Sequence, residues 1–332
     1  MSPIYVFLLP SIPRKVETSA IEKIKNMDWL GMILTAGTYC CFTVGGAVWA
    51  WNNGRVIALI VVFGVCAIAF AITQASATFT NKTNRLFPCD FLRNPQLVLL
   101  YIIMACGGAS LFVSVYYVPL YYLFVYGDSG TQAAVRLLPY ICCYVSSILL
   151  CGAIMRKTGY HILWFVLSGI LLTTGGVTMY TVTIDTSNAS IAGYTVLLGL
   201  GMTTSQAGYA VGNLLVEPKR ASELIQFLNI SQGSSQLIGL ALASAIFQTR
   251  AFAGIKQVLG PGYTDDQIQA AIAGARSEVL RNTSPEIRDQ CIDVIVSVIG
   301  DVWALVVSAG ALSTLSSCFL TRERFITPKG SS

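Results

Sequence analysis

Apolar residues run through this chain in eight long blocks: 29–51, 55–78, 96–125, 131–155, 161–183, 190–216, 222–248 and 294–320. A helix of about 20 residues, rising ~1.5 Å per residue, crosses a hydrocarbon layer of about 30 Å, and every block is long enough to make one. Polar residues gather in the short stretches between blocks. Gly, Ser and Thr recur inside them, as in membrane helices whose backbones approach closely. The pattern predicts an all-α polytopic membrane protein. The one long connection, 249–292, reads as an external loop. Within it, "TDDQIQAAIAGARSEVL" predicts an amphipathic surface helix capped by Thr264, and Ser284-Pro285 predicts the start of a helix entering the last span.

Composition agrees. Charged residues make up 11% of the chain, against about 25% in a soluble domain, and the mean hydropathy is +0.65. A large soluble core is excluded. The net charge of +5 does not indicate nucleic acid, because the basic residues sort by loop. Arg14, Lys15, Lys23, Lys25, Lys82, Arg85, Arg93, Arg156, Lys157, Lys219, Arg220, Arg322, Arg324 and Lys329 all fall on alternate connections. These hold 14 of the 21 Lys and Arg, so the positive-inside rule places them, and both termini, in the cytoplasm. Trp49 and Trp51 then mark the outer interface. Asn188 and Asn282 head Asn-x-Ser/Thr sequons in external connections and are expected glycosylation sites.

Little in the chain suggests catalysis. Gly127-Asp128-Ser129-Gly130 resembles a serine-protease signature, but a serine nucleophile needs a base, and His161, the one histidine, is expected at the opposite membrane face. The stretch reads as a turn, and neither an enzymatic centre, a cofactor nor a metal site is expected. The informative residues are polar ones inside the blocks. On a helical wheel Asn229, Gln232 and Gln236 fall on one stripe, beside the small residues Ser231, Ser235, Gly239 and Ala243. Amides do not belong against lipid. They line a water-filled cavity or bond another helix. Gln206 adds a further amide in the preceding block. Tyr117 and Tyr121, one turn apart, serve as an aromatic belt or stack on an organic substrate. Arg136 either reaches outward to the interface or acts within the pathway. Asp301, an acid well inside the last block, is a candidate proton carrier or, lying in its outer half, is simply wetted.

At these residues the chain resembles the C-terminal part of the major facilitator superfamily, in the fungal 14-helix drug:proton antiporter branch that includes toxin-efflux pumps. "FLLPSIPRK" is similar to the end of that family's sixth helix and "MDWLGMILTAGT" to its seventh. "YYVPLYYLFVYGDSGTQAAVRLLP" resembles the ninth and tenth, and "GYTVLLGLG" and "SQGSSQLIGLALASAIF" the twelfth and thirteenth. "GAIMRKTGY", with Gly152, Arg156, Lys157 and Gly159, is similar to the cytoplasmic loop motif of the second half. The resemblance implies four parts: a helix stub and cytoplasmic linker over 1–27, two linker helices over 28–78, a C-terminal six-helix bundle over 79–321, and a cytoplasmic tail over 322–332. It implies proton-coupled efflux of a drug, toxin or other secondary metabolite across the plasma membrane, the vacuolar membrane being the alternative. It also implies an N-terminal bundle that this chain lacks, leaving half a transporter. A carrier of siderophores or other solutes, and a half-bundle that does not transport, are the competing readings.

Overall fold

The computed structural model describes residues 28–44, 54–76, 86–274 and 282–321. The expected stub and linker over 1–27, Trp49 and Trp51, Lys82 and Arg85, the side chain of Arg156 and the tail from 322 lie outside the described residues. Among the described residues there are helices and turns and no strand. The helices are α1 (Trp29–Val44), α2 (Gly54–Ser76), α3 (Pro95–Val125), α4 (Gly130–Arg136), α5 (Leu138–Thr158), α6 (Ile162–Tyr180), α7 (Asn188–Gly201), α8 (Thr204–Leu215), α9 (Ala221–Leu259), α10 (Asp265–Ala273) and α11 (Pro285–Cys318). Val56–Ser76, Pro95–Val125, Gly130–Met155, Ile162–Tyr180, Pro218–Leu259 and Pro285–Cys318 are long and apolar enough to cross a membrane. The chain is an all-α, multi-pass membrane protein.

The two other expected spans differ from these six for local reasons. The first is helical from Trp29 to Val44 as far as it is described. The block at 190–216 is two helices, broken at Met202-Thr203. A break inside hydrocarbon frees backbone carbonyls that need donors. Ser168 on α6 supplies one to the Gly201 carbonyl, and its hydroxyl lies 2.8 Å from Thr204 Oγ1.

Small residues set how the helices pack. A side chain at Gly201 would meet the Leu172 backbone nitrogen at 2.6 Å, so α7 lies directly on α6. Gly310 on α11 meets the Thr173 nitrogen at 2.7 Å and Gly169 on α6 meets Thr314, a reciprocal pair that seats α6 on α11. Gly239 on α9 abuts Ala109 on α3, and Ser231 on α9 donates to the Tyr101 carbonyl at 2.6 Å. The small stripe read from the sequence is thus the α3–α9 contact. Between hydrocarbon-soluble helices, close backbone approach of this kind drives association.

The described residues of the 249–292 connection are largely helical. Ala251, Ile255 and Leu259 continue a four-residue apolar repeat, and α9 stays helical to Leu259. At ~1.5 Å per residue its 39 residues extend about 58 Å, well beyond the hydrocarbon. Helix α10 starts at Thr264, the cap the sequence predicts, which forms a capping box with Gln267. α11 begins at Pro285, also as predicted, although the Ser284 side chain makes no capping bond. Ile268, Ile272, Cys291 and Ile295 join the apolar core that fills the bundle, so the protruding ends form a cap continuous with it. The opposite end carries Arg93, Lys157, Lys219 and Arg220 and is called here the basic end.

Gly201→Val should destabilise the bundle by about 1–3 kcal/mol, because the backbone contact leaves no room for the added carbons. Gly233, which has nothing within 4 Å of an added carbon, is the control. Gly233→Ala should melt in detergent at or above the parent temperature.

Candidate functional site

The polar blocks meet where α8 lies beside α9. The Tyr209 hydroxyl is 2.6 Å from Asn229 Oδ1 and 3.1 Å from Gln232 Oε1. A phenol has one proton, so it donates to one amide oxygen at a time and the other stays available. Gln232 Nε2 donates to the Ser205 carbonyl at 3.4 Å, and the Ser205 hydroxyl reaches the Tyr144 oxygen at 3.4 Å. Tyr144 in turn stacks on Tyr140, one turn earlier on α5, with the rings 12° apart. A polar ladder therefore runs from α5 through α8 to α9. Close packing fixes its rungs: an added carbon at Gly208 would run into Met104 at 2.5 Å, and one at Gly108 into the Gln232 carbonyl at 2.7 Å.

Gln206, Asn213 and Asn229 are exposed on this face, with Tyr209, Gln232 and Gln236 half-buried beside them. Other exposed faces of the spans are apolar: Ile57, Val65 and Ile68 on α2, Leu163 and Leu167 on α6, Leu315 on α11. Those can rest against lipid tails. The amide face cannot, since each unsatisfied polar group in hydrocarbon costs several kcal/mol. α9 also borders a crevice of about 350 Å³ between α3, α9 and α11, lined by Cys106, Ala109, Val113, Ser235, Leu242 and Leu305 among others.

Of the residues expected in a pathway, Gln206, Asn229, Gln232 and Gln236 share this face, whereas Tyr117, Tyr121 and Arg136 do not. Tyr117 is buried with its ring 5.7 Å from Phe247, and buried Tyr121 donates to the Thr183 carbonyl at 2.9 Å. They lie inside the bundle because that side of α3 is the one covered by α9 and by the 181–188 turn. Arg136 closes a knot at the capped end. Its guanidinium pairs with Asp128 and sits 4.7 Å from the ring centres of both Tyr122 and Tyr126. Its charge is thereby neutralised within the protein. Tyr122 also donates to Asn188 Oδ1 at 2.9 Å, while the Asn188 and Asn282 residues themselves are exposed. Ser129 caps α4, and the full length of α5 separates it from His161.

Asp301 pairs with Arg250 beside a polar crevice of about 380 Å³ between the end of α6 and α11, which Thr181, Thr183, Asp293 and Ser297 also line. At the basic end Gly159 takes a left-handed φ of 69° to end α5, its N–H donating to the Met155 carbonyl at 2.9 Å, and Gly152 and Lys157 are exposed. Sequence reasoning missed Tyr144 and Tyr209. The spacing of Ser205, Gln206 and Tyr209 on one helix was a signal, but Tyr144 became visible only once α5 was placed against α8.

No family model matches the chain. It is 54% identical to "Efflux pump patC" of Aspergillus clavatus over 98% of this chain and 60% of that protein. It is 52% identical to "MFS-type transporter patC" of Penicillium expansum over 98% of this chain and 61% of that one. With the "Phomenoic acid biosynthesis cluster MFS-type transporter" of Leptosphaeria maculans the identity is 33%, over 98% of this chain and 55% of the relative. The chain spans about three-fifths of the length of these relatives.

Tyr209→Phe and Gln232→Leu should be coupled. Within membrane proteins such bonds average about 0.6 kcal/mol in double-mutant cycles, so the double variant should be more stable than the two single losses predict. Strictly additive melting shifts would show that the phenol and the amide do not bond.

Proposed function

We propose, for a chain that fits the family of MFS-type transporters and efflux pumps over 98% of its length, that it forms part of a carrier exporting a small organic compound. The observation that carries this reading is the exposed amide face. A membrane-embedded surface bearing Gln206, Asn213 and Asn229 needs water or a polar partner. Alternating-access carriers place such a surface at the contact between two repeats. Gln206, Asn229, Gln232 and Gln236 supply donors and acceptors for the polar groups of a substrate, and the neighbouring crevice suits its apolar body, being within the size of ordinary ligand pockets. The second wall would come from an N-terminal bundle, for which the additional length of the relatives leaves room.

The basic end faces the cytoplasm in this proposal, on the loop-charge asymmetry, and the plasma membrane is its location. Coupling to protons falls to Asp301, the acid deepest within α11. Its pairing with Arg250 at the rim of a polar crevice lets one proton decide whether the arginine is held or released. The exposed sequons Asn188 and Asn282 would then lie outside and carry glycans.

Transport assays in a full-length protein containing this chain separate the roles. Asn229→Leu or Gln232→Leu should lower efflux of supplied fungal metabolites about tenfold, equivalent to ~1.4 kcal/mol, while melting shifts stay near 0.6 kcal/mol. Unchanged efflux with lowered stability would make the face structural. Asp301→Asn should remove the pH dependence of efflux, and an unchanged pH profile would exclude it as the proton carrier. Thiol reagents applied outside intact cells should miss cysteines introduced at 20 and 327; labelling of either would overturn the orientation.

A further inference from the structure

Helices α1 and α2 stand at the margin of the bundle. α2 packs chiefly on α1, and α1 reaches the bundle along α9. Most of α2 is exposed, with Ile57, Val61, Val65 and Ile72 pointing outward. Packing alone holds such a hairpin weakly, so its polar anchors decide whether it is fixed.

Two anchors stand out. At the basic end Asp28 is buried, 8% exposed, and its carboxylate accepts three N–H bonds: from Gly31 N at 2.8 Å, Gln74 Nε2 at 2.7 Å and Leu86 N at 3.0 Å. Gln74, itself 1% exposed, uses its oxygen to accept from Phe87 N at 2.8 Å. One carboxylate thus joins the start of α1, the end of α2 and the segment that leads into α3. That segment is locked in turn, for the Phe87 ring lies 5.3 Å from Phe227 on α9 and 6.2 Å from Tyr101 on α3. Gly31 belongs to the design, because a carbon added there would fall 2.5 Å from Asp28 Oδ2. The second anchor is the hydrogen bond between Tyr39 on α1 and Ser234 on α9. Asp28 and Tyr39 are about 16 Å apart along the helix at ~1.5 Å per residue. Two anchors at that separation fix the tilt of α1 as well as its position.

We infer that Asp28 is the pin that holds the α1–α2 hairpin in register on the bundle, so that these two helices and the bundle move as one body. An anion suits this place because three N–H groups from three segments converge on its two oxygens; an amide there would turn its NH2 either toward the Gly31 N–H or toward those of Gln74 and Leu86. The inference concerns which helices move together and does not depend on transport. Were the hairpin free, α1 would slide along α9 and the Tyr39–Ser234 contact would be transient.

Cross-linking of the 332-residue chain in liposomes tests it. The Tyr39→Cys/Ser234→Cys pair is linked with a short bifunctional methanethiosulfonate reagent, since a tyrosine's length exceeds the span of a direct disulfide, and the linked peptides are identified by mass spectrometry. The pair should link rapidly, and adding Asp28→Ala or Gly31→Ala should slow it about tenfold, the equivalent of ~1.4 kcal/mol. A Thr173→Cys/Val307→Cys pair across α6 and α11 should keep its rate in the same variants. If Asp28→Ala does not fold, Gln74→Leu should slow the first pair and spare the second. Failure of the first pair to link, an unchanged rate in the pin variants, or equal slowing of both pairs would each overturn the inference.

Discussion

Hydrocarbon offers no hydrogen bonds, and each polar group left unsatisfied within it costs several kcal/mol. That constraint accounts for the features that depart from a plain array of apolar helices. The break between α7 and α8 exists beside Ser168, which serves the freed carbonyl. The carboxylate of Asp28 is buried where three N–H groups converge on it and satisfy it. Arg136 lies near the capped end without cost because Asp128 and two tyrosine rings take its charge. The amides of α8 and α9 remain partly outside this accounting. Tyr209 can give its one proton to Asn229 or to Gln232, and Gln206 and Asn213 face outward. This residual demand for partners is the observation on which the proposed transport role rests.

The same helices that expose the amides are held very closely elsewhere. Gly108, Gly208 and Gly239 let α3, α8 and α9 meet almost backbone to backbone, so the polar ladder stands on a rigid frame. A binding surface benefits from that arrangement, because ordering costs are met when the protein folds and not when the ligand arrives. The apolar crevice bordering α9 adds contact area without further polar groups to satisfy.

Much of this was legible in the sequence, and the reasons are physical. Membrane helices announce themselves by length and composition, and the small stripe Ser231, Ser235, Gly239, Ala243 follows a four-residue repeat that only a packed face explains. The amide stripe was legible as a stripe, though whether it bonded a helix or met water was not; in the structure Asn229 bonds Tyr209 and is exposed as well. The surroundings of Tyr117 and Arg136 were not legible, because a sequence does not reveal which side of α3 is covered, or that Asp128 folds back across a turn. The long connection looked like a loop because its charges break the hydropathy, while its apolar repeat at Ala251, Ile255 and Leu259 is soluble-helix periodicity. Of Asp28, only its place at the start of the first span was legible; its donors at positions 74 and 86 gave no signal.

The central claim is that the amide face of α8 and α9 meets water within the depth of the membrane. Accessibility measures it directly. Single cysteines at Gln206, Asn213 and Asn229, compared with Leu163 and Leu315 on apolar faces, are treated in liposomes with a charged, hydrophilic thiol reagent supplied on both sides. The account predicts fast modification at the three amide positions and slow modification at the two leucines. Equal, slow modification at all five would mean that the amides face lipid or a dry contact, and would contradict it.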